Sequence, residues 1–190
     1  SFTLQGLCRG LTSLTSVGDI TGWNLGKCTS IAALFSACTS LTSLDCSGWD
    51  LSSCTSFYGM FAYCDSLTSI NCSNWTLNST NNISFALWAE GSGLTSIDMS
   101  TWDWTKINNT NRMFNNCFSL AGTIVIPATC SFLSGQTFGC IVSRYDLYPT
   151  TAPSVTGGIY GTWYGLPNPA DLHVPTGASG YDVDPWNRAG

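Results

Sequence analysis

Trp23, Trp49, Trp75 and Trp102 stand 26, 26 and 27 residues apart, and the last three each close one phrase: Leu44-Asp45-Cys46-Ser47-Gly48-Trp49, Ile70-Asn71-Cys72-Ser73-Asn74-Trp75 and Ile97-Asp98-Met99-Ser100-Thr101-Trp102. Self-similarity at a fixed period of about 20 to 50 residues marks architectures in which each repeat buries its apolar face against the next one. A chain of 190 residues then makes one elongated domain, with its core running between windings rather than around a centre.

Within a repeat, the stretch before the tryptophan alternates apolar and polar residues, as a strand with one buried face does. Leu41, Leu44 and Cys46 point inward in the second winding, as do Leu67, Ile70 and Cys72 in the third and Leu94, Ile97 and Met99 in the fourth, so that Asp45, Asn71 and Asp98 point out. After the tryptophan, apolar residues recur at helical spacing: Leu25, Cys28, Ile31, Leu34 and Phe35, then Leu51, Cys54, Phe57, Met60 and Phe61. The expected winding is a short parallel strand, a turn and a short helix or 3-10 segment on the outer wall. Counted from Leu11, the first winding carries a four-residue insertion around Thr15 to Gly18. The third gains one residue, and its polar run Asn78 to Asn82 is expected to loop outward.

From Gly122 the pattern turns β-rich and ends at Pro127, which suits a strand end or edge. Residues 143–190 hold six of the seven prolines. We read residues 1–142 as the repeat solenoid and 143–190 as a C-terminal cap over its last winding, which a solenoid needs.

Charged residues make up only 9% of the chain against a usual share of about 25%, so Ser, Thr, Asn and Gly must cover the surface. A net charge of −5 argues against nucleic-acid binding, which needs clustered Lys and Arg. No apolar run approaches the roughly 20 residues of a membrane span. The ten cysteines follow the repeat: Cys46 and Cys72 precede a tryptophan by three, and Cys28 and Cys54 follow one by five. Cys8, Cys38 and Cys64 precede a Leu-Thr-Ser, and Cys117 holds the same place before Leu120. Stacked equivalents lie about 4.8 Å apart, whereas a disulfide needs Cβ atoms at about 3.8 Å. These eight are expected to be reduced core residues; the state of Cys130 and Cys140 is open.

The segment Leu41 to Cys64, with its Leu-Thr-Ser-Leu opening and Met60-Phe61-Ala62-Tyr63-Cys64 close, resembles the BspA-like leucine-rich repeats of bacterial surface proteins. Gly122-Thr123-Ile124-Val125-Ile126-Pro127 through Gly139-Cys140, and Leu172-His173-Val174-Pro175 through Tyr181 and Trp186, resemble that family's later repeat variant and its terminus. The resemblance implies a leucine-rich-repeat solenoid of α/β type with a parallel sheet, short outer-wall helices or 3-10 segments and an irregular C-terminal cap. It also implies display on a cell surface or secretion, with adhesion as the function. It supplies no catalytic residues. The cysteine ladders depart from the family, where Leu or small residues are usual, and keep a virion component of phage tail, fibre or capsid in view.

Catalysis would need a nucleophile, a base and an orienter in mutual reach. The single imidazole, His173, lies in the expected cap, and carboxylate pairing among Asp45, Asp98 and Asp103 is what a repeat produces for solvation alone. We therefore expect a non-catalytic module without cofactor or metal; a carbohydrate-active enzyme is the distant rival. Its expected ligand-binding residues are the outward strip Asp19, Asp45, Asn71 and Asp98, flanked by Ser43, Ser69, Ser96, Ser47, Ser73 and Ser100, and the aromatic pair Trp163 and Tyr164. Tyr58, Tyr63, Trp88 and Tyr160 are further candidates, because aromatic rings anchor interfaces and sugars. The ligand would be a protein or glycan on a host or neighbouring surface. An uncovered N-terminal edge would invite oligomerisation or larger assembly.

Overall fold

The computed structural model describes residues 1–77, 83–86, 88–99 and 101–120, and beyond them the backbone of five strands. Its strands are β1 (Phe2–Thr3), β2 (Cys28–Ser30), β3 (Ser43–Asp45), β4 (Asp50–Leu51), β5 (Ser69–Asn71), β6 (Thr76–Leu77), β7 (Ile83–Ser84), β8 (Ile107–Asn109), β9 (Thr123–Ile126), β10 (Phe132–Ser134), β11 (Arg144–Leu147), β12 (Ser154–Thr156) and β13 (Asp171–His173). All pairings among them are parallel, and through β8 they join residues about one repeat apart. Ser43, Leu44 and Asp45 of β3 face Ser69, Ile70 and Asn71 of β5; β4 pairs with β6. β1 pairs with β2, β7 pairs with β8, and the bridges Ser30–Ser56 and Ser56–Ser84 connect the two pairs. Alternation is as the sequence implies: Leu44 and Ile70 are buried between exposed neighbours.

The outer wall differs from expectation. Among the described residues the only helical piece is the 3-10 turn Trp104–Lys106, whose N-cap Asp103 accepts the Thr105 N–H. Elsewhere the backbone alternates between two kinds of bond. Ile31, Ala33, Phe35 and Ala37 donate to the carbonyls of Ser56, Tyr58, Met60 and Ala62 in the next winding at 2.8 to 3.0 Å, while Leu34, Ser36 and Cys38 donate to the carbonyl three residues back. The same alternation runs through residues 4–11 and 57–62. It requires left-handed backbone at two places four residues apart, met at Gly6 and Gly10, Ala33 and Ala37, Gly59 and Tyr63, and Arg112 and Asn116. A left-handed residue interrupts the α-helical bond series, which is why helices end at such residues. Two tight turns of nearly helical length place apolar residues three or four apart, so the spacing alone reads as helix.

The interior is built from rows of equivalent side chains. Trp23, Trp49, Trp75 and Trp102 stack in sequence with centroids 5.6, 6.4 and 5.4 Å apart and ring planes within 11°. The indole N–H of Trp49, Trp75 and Trp102 donates to the carbonyl of Ile20, Cys46 and Cys72 respectively, at 2.7, 3.0 and 3.3 Å. Each ring thereby satisfies a polar atom one winding back, while burying its apolar body, which is worth roughly 4 to 6 kcal/mol before entropy is charged. The eight described cysteines are free, and all but Cys8 are buried. Cys38, Cys64 and Cys117 direct their sulfurs at the carbonyls of Cys8, Phe35 and Ala89 at 2.9 to 3.1 Å. A thiol is small enough for the row and still a weak donor, which gives the ladders a physical reason.

The first winding has a frame other than the one its Leu11-Thr12-Ser13 suggests. Leu14 N–H bonds to Leu11 O as Leu41 N–H bonds to Cys38 O, and Thr39 Oγ1 reaches Thr12 O across an offset of 27. Leu11 therefore occupies the Cys38 row and Cys8 the Phe35 row. The insertion is one residue, Gly18 at φ +69°, not four; Leu14-Thr15-Ser16 is the true counterpart of Leu41-Thr42-Ser43. In the third winding the offset grows from 26 at Leu51–Leu77 to 28 at Ser56–Ser84 and returns to 27 at Thr68–Thr95. The run expected to loop out, 78–82, lies outside the described residues.

Past residue 120, β11 lies between β9 and β13, with Arg144 opposite Thr123 and Asp171. The β9–β11 ladder thus crosses the expected 142/143 boundary between solenoid and cap. The register of β10 with β12, Phe132 opposite Ser154, has an offset of 22, shorter than the repeat before it.

Candidate functional site

The outward row begins where a strand ends. Asp45 is the last residue of β3 and Asn71 of β5, in direct register, and the chain then turns inward so that Trp49 N–H can meet Cys46 O at 3.1 Å. That turn is closed by the row itself. Oδ1 of Asp45 accepts the Ser47 N–H at 3.0 Å and the Ser47 hydroxyl at 2.7 Å. Asn71 accepts the same two groups of Ser73 at 3.4 and 2.9 Å, and Asp19 those of Thr21 at 3.0 and 2.6 Å. These are Asx turns, a local bond that short polar side chains favour.

All four residues of the strip, Asp19, Asp45, Asn71 and Asp98, are exposed. The structure sets them in one row: Asn71 lies beside Asp45 in register, Asp19 and Asp45 are close enough to repel, and Asp98 takes the Cys72 thiol on its carbonyl at 3.8 Å. Bonds from the Thr21 hydroxyl and N–H lower the Asp19 carboxyl below its ordinary range, and bonds from Ser47 do the same for Asp45. Asp19 and Asp45 are therefore anionic at neutral pH, and they and Asn71 are each tied to the chain two residues on. Ser47 and Ser73, expected as flanking hydroxyls, are the donors that tie Asp45 and Asn71. Ser100 lies outside the described residues.

The threonine hydroxyls on this side are also engaged. Thr68 and Thr95 donate to the carbonyls of Thr42 and Thr68 at 3.2 Å each. The carboxylates of Asp19 and Asp45 stand one winding apart on the exposed side, and the Asn71 side chain in the next winding bonds to Asp45. The same Asx turn also appears away from the row, at Asp103 with Thr105 and at Asp50 with Ser52.

The aromatic candidates divide. Tyr58 and Tyr63 are exposed at 48% and 50%. Trp88 is wholly buried and meets Phe61, Trp75, Phe85, Trp102 and Phe114 edge to face, so it is a core residue. It replaces the Met60 row and fills the width between the tryptophan column and the outer wall. Tyr160, Trp163 and Tyr164 lie outside the described residues. Only the backbone of His173 is described, opposite Asp146 in β13–β11.

Sequence reasoning missed one polar cluster. Glu90 is 1% exposed, pairs with Arg112 and accepts a 3.1 Å bond from Asn115 Nδ2, while its Oε2 has no partner among the described residues. The row it occupies holds Ser36, Ala62 and Asn115 in three other windings, all buried. The signal was present in Ala89-Glu90-Gly91, where the third winding abandons the Met-Phe-x-x-Cys pattern. No group of three or more potential ligands among the described residues is placed to hold a metal ion. No described helix is long and apolar enough to cross a membrane.

A model of the family described as "Mycoplasma protein of unknown function, DUF285" matches residues 3–125. No curated protein and no solved structure matches the chain.

Proposed function

We propose that this chain, which belongs to the DUF285 family, is a non-catalytic recognition module: a leucine-rich-repeat solenoid of BspA-like type, displayed on a cell surface or secreted, that binds a protein or glycan through its exposed row. The observation that carries the reading is that row. Asp19, Asp45 and Asn71 are exposed at one-winding spacing, and each is locked by its own Asx turn. Side chains already tied in this way lose less entropy on binding, which is what preorganisation contributes to affinity. Fixed carboxylates at regular spacing suit pairs of sugar hydroxyls or a basic loop.

The test exploits the row itself. Asn71 shows that an amide holds the same turn, so Asp19→Asn, Asp45→Asn and Asp98→Asn together remove the charge and keep the geometry. On an array of glycans and matrix proteins, the parent chain should bind a ligand and the triple variant should lose about tenfold or more in affinity, the scale of one or two charge-assisted bonds. Unchanged binding with an unchanged Tm would refute the row as the site. The aromatic pair Trp163 and Tyr164 would then carry the next variants.

The free thiols favour a second reading, in which the module assembles in a reducing compartment and is carried on a virion. Eight unpaired cysteines, seven of them buried, fit that history. Intermolecular or intramolecular disulfides in protein isolated from its native source would argue against it.

A further inference from the structure

We propose that the stacked cysteines are sites for soft metal ions, one linear, two-coordinate d10 cation between the sulfurs of each neighbouring pair, with divalent mercury the member of that class the interior takes at least cost. Three pairs among the described residues qualify: Cys28 with Cys54, Cys38 with Cys64, and Cys46 with Cys72. All six are buried and free. The first argument is register. Cys28 and Cys54 direct their sulfurs at the carbonyls of Ser30 and Ser56, at 3.4 and 3.6 Å, and those two serines are bridged in parallel. Cys38 and Cys64 direct theirs at the carbonyls of Cys8 and Phe35, at 3.1 and 3.0 Å, which hold the same place in successive windings. Cys46 and Cys72 follow directly on Asp45 and Asn71, which face each other in register. A thiol that makes the same bond in each winding keeps one rotamer, so its sulfur recurs at the strand spacing of about 4.8 Å. The two members of each pair are near enough for their charged forms to repel.

The second argument is span. A disulfide needs Cβ atoms at about 3.8 Å, closer than this stacking brings them. Two metal–sulfur bonds of about 2.3 Å laid end to end reach about 4.6 Å. The pairs are thus too wide for a sulfur–sulfur bond and matched to a sulfur–metal–sulfur one. Zinc does not suit them, because it takes four ligands and no group of three or more ligand side chains among the described residues is placed to hold a metal ion. A linear ion needs only two.

The third is charge. When a divalent ion enters, two S–H bonds are exchanged for two sulfur–metal bonds, both protons leave to solvent, no electron moves, and the product is neutral. A monovalent ion such as Cu(I), although soft enough for thiolates, leaves one negative charge in an apolar interior, which is costly. Sulfur selects the class of ion, and burial selects its divalent member. Cys117 supplies an internal contrast: the place beside it in the preceding winding belongs to Ser92, whose hydroxyl lies 3.6 Å from the Cys117 sulfur. Among the described residues that row offers Cys117 no neighbouring thiol.

The experiment equilibrates the full chain, reduced with a phosphine and desalted, with mercuric chloride, and measures bound metal per chain after gel filtration together with Tm. The parent's Tm should rise by about 5 °C or more once free ion is about a hundredfold above its dissociation constant. Cys54→Ser should lose one ion per chain, and Cys28→Ser with Cys54→Ser should lose that same ion and no second, because the pair binds as a unit. Cys46→Ser, alone and with Cys72→Ser, repeats the comparison. Cys117→Ser should lose none, and Ser92→Cys, which completes a pair, should gain one. The last variant keeps the test open if a serine weakens the core. Loss of two ions in a double variant would mean that the sulfurs react singly, and a Tm that falls with added metal would mean that the ion enters only by opening the fold. Either result overturns the proposal, as does a loss in Cys117→Ser or no gain in Ser92→Cys.

Discussion

Raising the pH should unfold this protein through its cysteines. Burial pushes the thiols of Cys54, Cys64 and Cys72 up to about 12 and that of Cys117 to about 11, from an ordinary value of 9.0, and Cys46 well above it. A thiol whose folded pKa is raised keeps its proton in the native state while the unfolded chain loses its own. The contribution to stability is whole below the ordinary thiol pKa and is lost as pH climbs toward the folded value. At about pH 10 the loss is about 1.4 kcal/mol per thiol, or about 7 kcal/mol for five. That is comparable with the roughly 5 to 15 kcal/mol that holds a domain folded, so the native state should fail near pH 10 and not at pH 8. Urea unfolding in the presence of reductant, followed by tryptophan fluorescence from about pH 8 to about pH 10, measures the loss; Cys54→Ala should reduce the total over that window by one thiol's share, about 1.4 kcal/mol. A flat stability profile over that window, or an unchanged loss in the variant, would refute the reasoning.

Ala33→Gly with Ala37→Gly should stabilise the fold by about 1 kcal/mol in total, since relief of left-handed strain exceeds glycine's entropy cost; a lower denaturation midpoint would contradict it. Arg112→Ala should cost about 3 to 5 kcal/mol by leaving the Glu90 carboxylate buried and uncompensated, whereas Glu90→Ala, with Ala62 already in that row, should cost far less; equal losses in chemical denaturation would show that the pair is not what matters. Trp49→Phe should cost about 2 to 4 kcal/mol, from lost ring volume and an orphaned Ile20 carbonyl, and a loss within experimental error would undo the assigned role of the indole N–H. On the acid side, the lowered carboxyls of Asp19, Asp45 and Asp50 stabilise the fold above the ordinary carboxylate range, and that contribution disappears as pH falls through their folded values. Thermal melts should therefore be level from neutrality to about pH 5 and decline below about pH 4, with Asp45→Asn shallower than the parent.

Residues that recur in every winding were legible before any coordinates. The tryptophan spacing announced the repeat, and Leu44 and Ile70 announced their strand faces, because period and alternation are the direct imprint of windings and pleats. The outer wall was not legible, since Ile31, Leu34 and Phe35 satisfy a helix and a pair of left-handed turns equally well; the deciding fact is where the N–H of Ala33 goes, and side-chain pattern is silent on that. The frame of the first winding was obscured by two successive Leu-Thr-Ser-like triplets, of which only the register bond from Leu14 to Leu11 selects the second. In the candidate site, the outward direction of Asp45 and Asn71 was plain, but their bonds to Ser47 and Ser73 were read as mere proximity. Glu90 was overlooked because a single acidic residue inside a degenerate repeat looks like surface variation.

The column of indoles has a further consequence. Four chromophores lie with nearly parallel ring planes, each within 6.4 Å of the next, close enough for neighbouring excited states to mix, so the protein should absorb and rotate ultraviolet light as one coupled array rather than as separate dyes. Its near-ultraviolet circular dichroism would then report continuity of the column, and replacing Trp75 would cut the coupled signal back to that of the Trp23–Trp49 pair without touching the backbone bands.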